Sequence, residues 1–295
     1  MHGAFSLIFL TTLIGVGQGL FLALFAGQCF VSAGILTAHE PVFFGVGAGI
    51  ALAFLIAGLV VSSFHLSHPE RAWRAATQWH TSWLSREVIV LPTLMVLVFI
   101  YSMVHFMKWD VLISSTFPGV PMTLSLLIGF LGCIAAVVLF LCTAMIYAEI
   151  KFIREWSSPL TVANYILLGT ASGFTLAAAL STSAAPDMVE FYTVMAIILT
   201  PLAFLSRGIA LLKNGNVPIK SNDYPPVFVK RIKWLFVIMF FLLPIVLLYT
   251  GNISGKGEML VPAFLFQYAG LIAERWVFFT QIEHPQKQFQ VMAAG

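Results

Sequence analysis

The run FFGVGAGIALAFLIAGLVVSSF, from Phe43 to Phe64, decides the class of this protein, because it contains no charged side chain. About 20 apolar residues are enough for a helix to cross the hydrocarbon core of a bilayer, which is ~30 Å thick. The whole chain of 295 residues is 60% hydrophobic and only 9% charged, whereas an average soluble domain has about 25% charged residues. The sequence therefore predicts an integral membrane protein.

Eight apolar runs of this kind are found along the chain. We expect them to be α-helices, because the alternating pattern of a membrane barrel is absent and each span must satisfy its own backbone groups. The N-terminal run lacks a positive leader and a cleavage site, so we interpret it as a retained span. The prediction is an all-α, polytopic protein with eight transmembrane helices in one domain, residues 1–295. The spans fall at roughly 5–30, 43–64, 87–107, 122–148, 160–183, 188–212, 230–250 and 260–281.

The basic residues predict the orientation. Twelve of the 15 lysines and arginines fall on the side of loops 2/3, 4/5 and 6/7 and the C-terminal tail, whereas Lys108 and Lys256 alone fall on the other side. Arg275 lies inside the last span. Because loops rich in Lys and Arg stay in the cytoplasm, both termini are expected to be cytoplasmic.

The segment from Ser62 to Glu87, SSFHLSHPERAWRAATQWHTSWLSRE, is the part of the chain richest in chemically active side chains. It holds three histidines, three arginines, two glutamates and three tryptophans. Ser67 and Glu70 have the spacing of a capping box, which predicts a short surface helix, and Ser85 is a candidate cap for span 3. This density at a membrane boundary points to a site for a quinone.

A quinol that is oxidised releases two electrons and two protons, so its site needs hydrogen-bond acceptors and an apolar slot. His65 ends span 2 and Glu87 begins span 3 on the same membrane face, and both groups can exchange protons near neutral pH. Arg71, Arg74 or Arg86 would hold the carboxylate or a partly reduced oxygen. Each residue also has an alternative role. Glu87 would be a first-turn acid that the helix dipole favours, and His65 would be an interfacial histidine bonded to the backbone. The arginines would contact lipid headgroups.

Other candidate groups suggest packing or exclude a class of function. Gln18 lies among Gly15, Gly17 and Gly19 in span 1, where it either supports helix packing or bonds a ligand. The three cysteines stand alone, so no metal site is predicted. His105 has no evident partner for a haem iron, so no haem is predicted. No basic cluster is dense enough for nucleic acid.

The sequence also resembles a known family. The residues that carry the resemblance are Ser63-Phe64-His65-Leu66, Pro69, Arg71-Ala72, Leu84-Ser85 and Glu87, supported by Gly17-Gln18 in span 1 and by Arg275 with Phe278 and Phe279 in span 8. This pattern resembles that of the membrane anchor subunits of dimethyl sulfoxide reductases. A second set resembles the branch that accompanies cytoplasmic sulfite dehydrogenases: Tyr147-Ala148, Lys151, Ile153-Arg154, Trp156, Asn164-Tyr165, Glu274-Arg275-Trp276 and His284-Pro285.

The resemblance implies an eight-helix anchor in the bacterial cytoplasmic membrane, bound to a molybdopterin catalytic subunit and an iron-sulfur subunit. The anchor would exchange electrons with ubiquinone or menaquinone in the lipid bilayer, and the family's quinol-site residues fall on His65 and Glu87. Two departures bear on this expectation. Loops 1/2 and 3/4 are nearly free of the basic residues that reductase members often have there. Leu271 replaces an acid that some members place one turn before the span 8 arginine. The role of the Glu274 and Arg275 pair is left open.

Several functions remain possible at this point. Sulfite oxidation with quinone reduction fits the branch and the orientation, whereas reduction of an S- or N-oxide by quinol would use the same site in reverse. A secondary transporter is the alternative of another class, but charges near the midplane and internal repeats, which such proteins show, are not evident. A purely structural anchor without a quinone site is a further alternative.

Overall fold

The computed structural model describes residues 2–37, 41–63, 76–114, 122–151, 153, 156–213 and 225–280. Nine α-helices are found in these residues. They are α1 (His2–Ser32), α2 (Pro41–Ser63), α3 (Trp83–Phe106), α4 (Leu124–Ala148), α5 (Pro159–Ala184), α6 (Val189–Lys213), α7 (Pro226–Phe236), α8 (Leu243–Ser254) and α9 (Leu260–Thr280).

The predicted fold class is confirmed: the chain is an all-α, polytopic membrane protein. Within the described residues, seven segments are long and apolar enough to cross a bilayer, and one of them is the continuous rod Val227–Ser254. The eighth predicted span coincides with α9, which is long enough but less apolar. It carries Gln267, Glu274 and Arg275, all of them buried. The count of eight spans therefore stays a prediction.

The first helix occupies the centre of the bundle. α1 packs against α2, α4, α5 and α9, and 72% of its apolar window is buried, against 28% for the windows of the sixth and seventh spans. α1 and α5 approach so closely that a Cβ atom at Gly173 would overlap the backbone of Gly19. Small residues permit this contact, as the glycine-rich pattern of span 1 predicted.

The seventh span is a single rod with an irregular middle. α7 runs into a π-helical segment, Val237–Leu242, which runs into α8. Pro244 lies two residues after the end of this segment, in the first turn of α8. Because proline has no N–H and its ring clashes with the carbonyl four residues earlier, the backbone widens into a π turn there. The rod therefore accommodates Pro244 by a π segment.

A β-hairpin lies in the connection between α3 and α4. Leu112–Ser114 (β1) pairs antiparallel with Met122–Thr123 (β2), and no local pattern of residues had indicated it. Thr123 also caps α4, since its side chain accepts a hydrogen bond from the Leu126 N–H. The hairpin lies at the end of the bundle opposite to the start of α3.

Candidate functional site

Glu87 is held inside the bundle by a neighbouring helix. The hydroxyl of Thr143 on α4 donates a hydrogen bond to Glu87 Oε1 over 2.6 Å. Trp83, four residues before Glu87 and hence on the same helix face, donates its indole N–H to Glu149, just after α4. These two bonds fix the register of α3 against α4, and they place the Glu87 carboxyl against the bundle interior.

The cap of α3 differs from the prediction. Ser82 is the N-cap and accepts a hydrogen bond from the Ser85 N–H, so that α3 begins at Trp83. Ser85 is a buried residue of the helix, and its prediction as the cap was wrong. Glu87 is consequently the fifth residue of α3 and lies beyond the first turn. The effect of the helix dipole is strongest within that first turn. The interpretation of Glu87 as a first-turn acid loses its basis.

A small internal cavity lies directly behind Thr143. Four helices, α1, α4, α5 and α9, form its walls, and it has room for about one water molecule. Its polar lining includes Gln18, Thr143, Tyr165 and Arg275, together with Thr11. The Glu87–Thr143 hydrogen bond therefore connects the carboxyl to a buried polar space.

Next to this cavity lies a buried cluster of charges. Glu274 Oε1 lies 2.9 Å from Arg207 Nε, and Glu274 Oε2 lies 3.1 Å from Arg275 Nη1. The side chains of these three residues are 10% exposed or less. The contacts are ion pairs without the angles of good hydrogen bonds. One carboxylate is thus shared by two guanidinium groups within the bundle.

Aromatic rings surround the guanidinium of Arg275. Its Cζ atom lies 3.6 Å from the centroid of the Tyr165 ring, close enough for a cation–π contact. Tyr147 stacks on Tyr165, with centroids 6.0 Å apart. Trp156 stacks on Phe278 and donates its N–H to the Phe278 carbonyl. The rings shield the charge from lipid and fix its position beside the cavity.

These groups lie at a common depth in the bundle. Glu87 is four residues after the start of α3, and Thr143 is five before the end of α4. Arg207 and Glu274 are each six residues before the ends of α6 and α9. At 1.5 Å per residue, all four lie about 6–9 Å inside the helix ends. The site therefore occupies one layer near the face that the Ser62–Glu87 segment adjoins.

The other residues singled out from the sequence have different positions. Gln18 donates its amide N–H to the Ala136 carbonyl over 3.2 Å, the contact expected for helix packing, and it also lines the cavity. Arg86 lies over the Trp83 ring and donates to the carbonyls of Trp79 and His80. Its guanidinium therefore secures the turn before α3.

His65, Arg71 and Arg74 belong to residues 64–75, which lie outside the described residues, as do Ser67 and Glu70 of the expected capping box. α2 ends at Ser63, two residues before His65, and α2 packs against α3. The meeting of His65 with Glu87 stays a prediction.

Reasoning from the sequence missed the link from Glu274 to Arg207. Arg207 was counted with the basic residues of the inner loops, yet it is buried within α6. Within the described ranges, no group of three or more His, Cys, Asp or Glu residues could hold a metal ion. His105, considered for a haem, is buried against the rings of Tyr101 and Phe44.

Comparison with known proteins gives two matches over most of the chain. Residues 1–280 match the family described as the DMSO reductase anchor subunit (DmsC). The chain is also 42% identical over 320 aligned residues to a protein of Allochromatium vinosum that is named as one of the subunits of sulfite dehydrogenase, with 98% of each chain covered.

Proposed function

Since this chain belongs to the DMSO reductase anchor subunit family and is a multi-pass bacterial membrane protein that anchors an oxidoreductase, we propose that it exchanges electrons with the quinone pool. Its partners in this proposal are an iron-sulfur subunit and a molybdopterin catalytic subunit, and the reaction is sulfite oxidation coupled to quinone reduction. The observation that carries the proposal is the Glu87 carboxyl, fixed by Thr143 and backed by a buried polar cavity.

Sulfite is favoured as the substrate by the name of the Allochromatium vinosum relative. The description of the family favours a second candidate, in which the anchor oxidises quinol to supply an S-oxide reductase. Both reactions would use one quinone site in opposite directions. The distribution of basic residues favours a cytoplasmic position for both termini, and with them for the Ser62–Glu87 segment.

The role of Glu87 follows from the needs of the headgroup. A quinone that is reduced takes up two electrons and two protons, and the electrons would come from the iron-sulfur partner. Glu87 would deliver one proton to a headgroup oxygen, and His65 is proposed to serve the other. A carboxyl fixed on Thr143 keeps one oxygen in place, so the second oxygen stays free to bond the headgroup.

The location of the headgroup follows from the size of the cavity. Space for about one water molecule cannot hold a quinone ring. Glu87 is partly exposed, so the ring is proposed to bind on the side of Glu87 away from Thr143. The apolar surfaces of α2 and α3 would then guide it from the bilayer.

Glu87→Gln and His65→Ala test the proposal in the assembled complex. Sulfite oxidation is measured with a short-chain quinone and, separately, with a soluble artificial acceptor that takes electrons upstream of the membrane anchor. Both variants should lose quinone-linked turnover by a factor of about 100, the lower end for loss of an acid–base group, while oxidation with the artificial acceptor persists.

The matched control is Glu258→Gln, because Glu258 is an exposed carboxylate just before α9, at the opposite end of the bundle. This variant should keep both activities. Full quinone-linked turnover in both Glu87→Gln and His65→Ala would instead identify the chain as a structural anchor.

A further inference from the structure

Two buried polar atoms beside the Glu87 site find no hydrogen-bond partner among the described residues. They are the Tyr165 hydroxyl and Arg275 Nε, and both residues line the cavity behind Thr143. Buried polar groups almost always have a partner, and an ordered water often supplies it. The cavity is polar on several sides and has room for about one water molecule. Its size and lining thus match a single bound water.

The hydrogen-bond donors and acceptors are also consistent with one water. Thr143 uses its hydrogen on Glu87, so its oxygen can accept from a water. Tyr165 and Arg275 can each donate to the same water. A water with two lone pairs and two hydrogens satisfies all three groups and keeps one hydrogen for another acceptor.

The charged side chains next to the cavity indicate what a water there would do. Arg207 and Arg275 share the single carboxylate of Glu274, so the three side chains carry one excess positive charge. An uncompensated charge in the bundle interior is costly. When Glu87 is a carboxylate the four groups sum to zero. The excess positive charge therefore offsets part of the cost that burial imposes on the Glu87 carboxylate.

We propose that the cavity is an internal water site, in which one water joins Thr143, Tyr165 and Arg275, and that Tyr165 and Arg275 are positioning residues for Glu87. This proposal rests on the proposed quinone function. Arg275 polarises the series of hydrogen bonds that runs from the water through Thr143 to Glu87. It thereby stabilises the Glu87 carboxylate after one proton has moved from Glu87 to the headgroup oxygen. The electrons come from the iron-sulfur partner, so no further reactant is needed.

Tyr165→Phe is the test, because it removes one hydroxyl and keeps the ring that contacts Arg275. Its matched control is Tyr192→Phe, since the Tyr192 hydroxyl is equally buried and also has no partner within the described part of the chain. Tyr192 lies near the start of α6, at the opposite end of the bundle. Quinone-linked turnover should fall about fivefold in Tyr165→Phe, the size of one hydrogen bond between neutral groups, and should be unchanged in Tyr192→Phe.

A high-resolution electron cryo-microscopy map of the wild-type complex gives an independent readout. Density for one water within hydrogen-bonding distance of Thr143, Tyr165 and Arg275 supports the proposal. An empty cavity, ring-shaped density there, or equal turnover in the two phenylalanine variants overturns it. If both Glu87→Gln and His65→Ala keep quinone turnover, the quinone function itself fails. If Glu87→Gln loses it while Tyr165→Phe does not, only the water site fails.

Discussion

Thr143 on α4 and Glu87 on α3, which are 56 residues apart in the sequence, are joined by a 2.6 Å hydrogen bond. The bond ties the carboxyl to the wall of the internal cavity. It therefore links the surface segment that ends at Glu87 with the buried charge cluster of α6 and α9.

Thr143→Val should impair quinone chemistry without unfolding the bundle. Valine has the shape of threonine but no hydroxyl, so Glu87 loses its fixed orientation. We expect quinone-linked turnover to fall about tenfold, as for a lost hydrogen bond to a charged group, with the artificial-acceptor rate unchanged. Thr175→Val is the matched control, because Thr175 is a buried threonine that bonds only within its own helix, to Ala171. Equal turnover in the two variants would show that the Thr143 bond has no role.

The charge cluster predicts that loss of Glu274 destabilises the protein more than loss of Arg207. Glu274→Gln leaves two buried guanidinium groups without a carboxylate, which should cost about 3–5 kcal/mol. Arg207→Gln leaves the neutral Glu274–Arg275 pair and should cost less. The midpoint of thermal unfolding of the solubilised complex measures both variants. A larger loss in Arg207→Gln than in Glu274→Gln would contradict the charge balance described above.

The contact of α1 with α5 predicts that Gly173 tolerates no side chain. Gly173→Ala places a Cβ against the backbone of Gly19, so the helices must separate and the yield of folded protein should drop. Gly208→Ala is the control, since a Cβ at Gly208 meets no atom of the described residues within 4 Å. Comparable yields of the two alanine variants in the membrane would argue against the close approach.

The orientation predicts which face of the membrane each loop contacts. In a variant without the three native cysteines, Lys256→Cys should react with a membrane-impermeant maleimide added to intact cells. Lys151→Cys, exposed at the other end of the bundle, should react only after the cells are opened. The reverse pattern would place both termini outside the cytoplasm.

Much of the fold could be predicted from the sequence, because the length of an apolar run and the absence of charge are local properties. The spans beginning near Pro41, Leu124 and Pro159 match their predicted ranges within a few residues. The start of α3 was misjudged, because Ser82 and Ser85 are both good caps and only the observed hydrogen bond distinguishes them.

The deep part of the site could not be predicted in the same way. Glu87 was identified because it lies in a dense polar segment. Its bond to Thr143 and the pairing of Arg207 with Glu274 join residues 56 and 67 positions apart, so they depend on how the helices pack. The only local signal was the presence of Arg207, Glu274 and Arg275 inside apolar runs, where a charge is costly and usually functional.

The most direct test of the quinone site is the affinity of the assembled complex for a short-chain quinone, measured by calorimetry in lipid nanodiscs. The wild-type complex and a Glu258→Leu control, changed at an exposed carboxylate of the opposite end, should bind with the same affinity. Glu87→Leu should bind about fivefold more weakly, since the headgroup oxygen loses the hydrogen bond that the protonated Glu87 carboxyl donates. Unchanged affinity in Glu87→Leu would contradict the assignment of Glu87 to the quinone site.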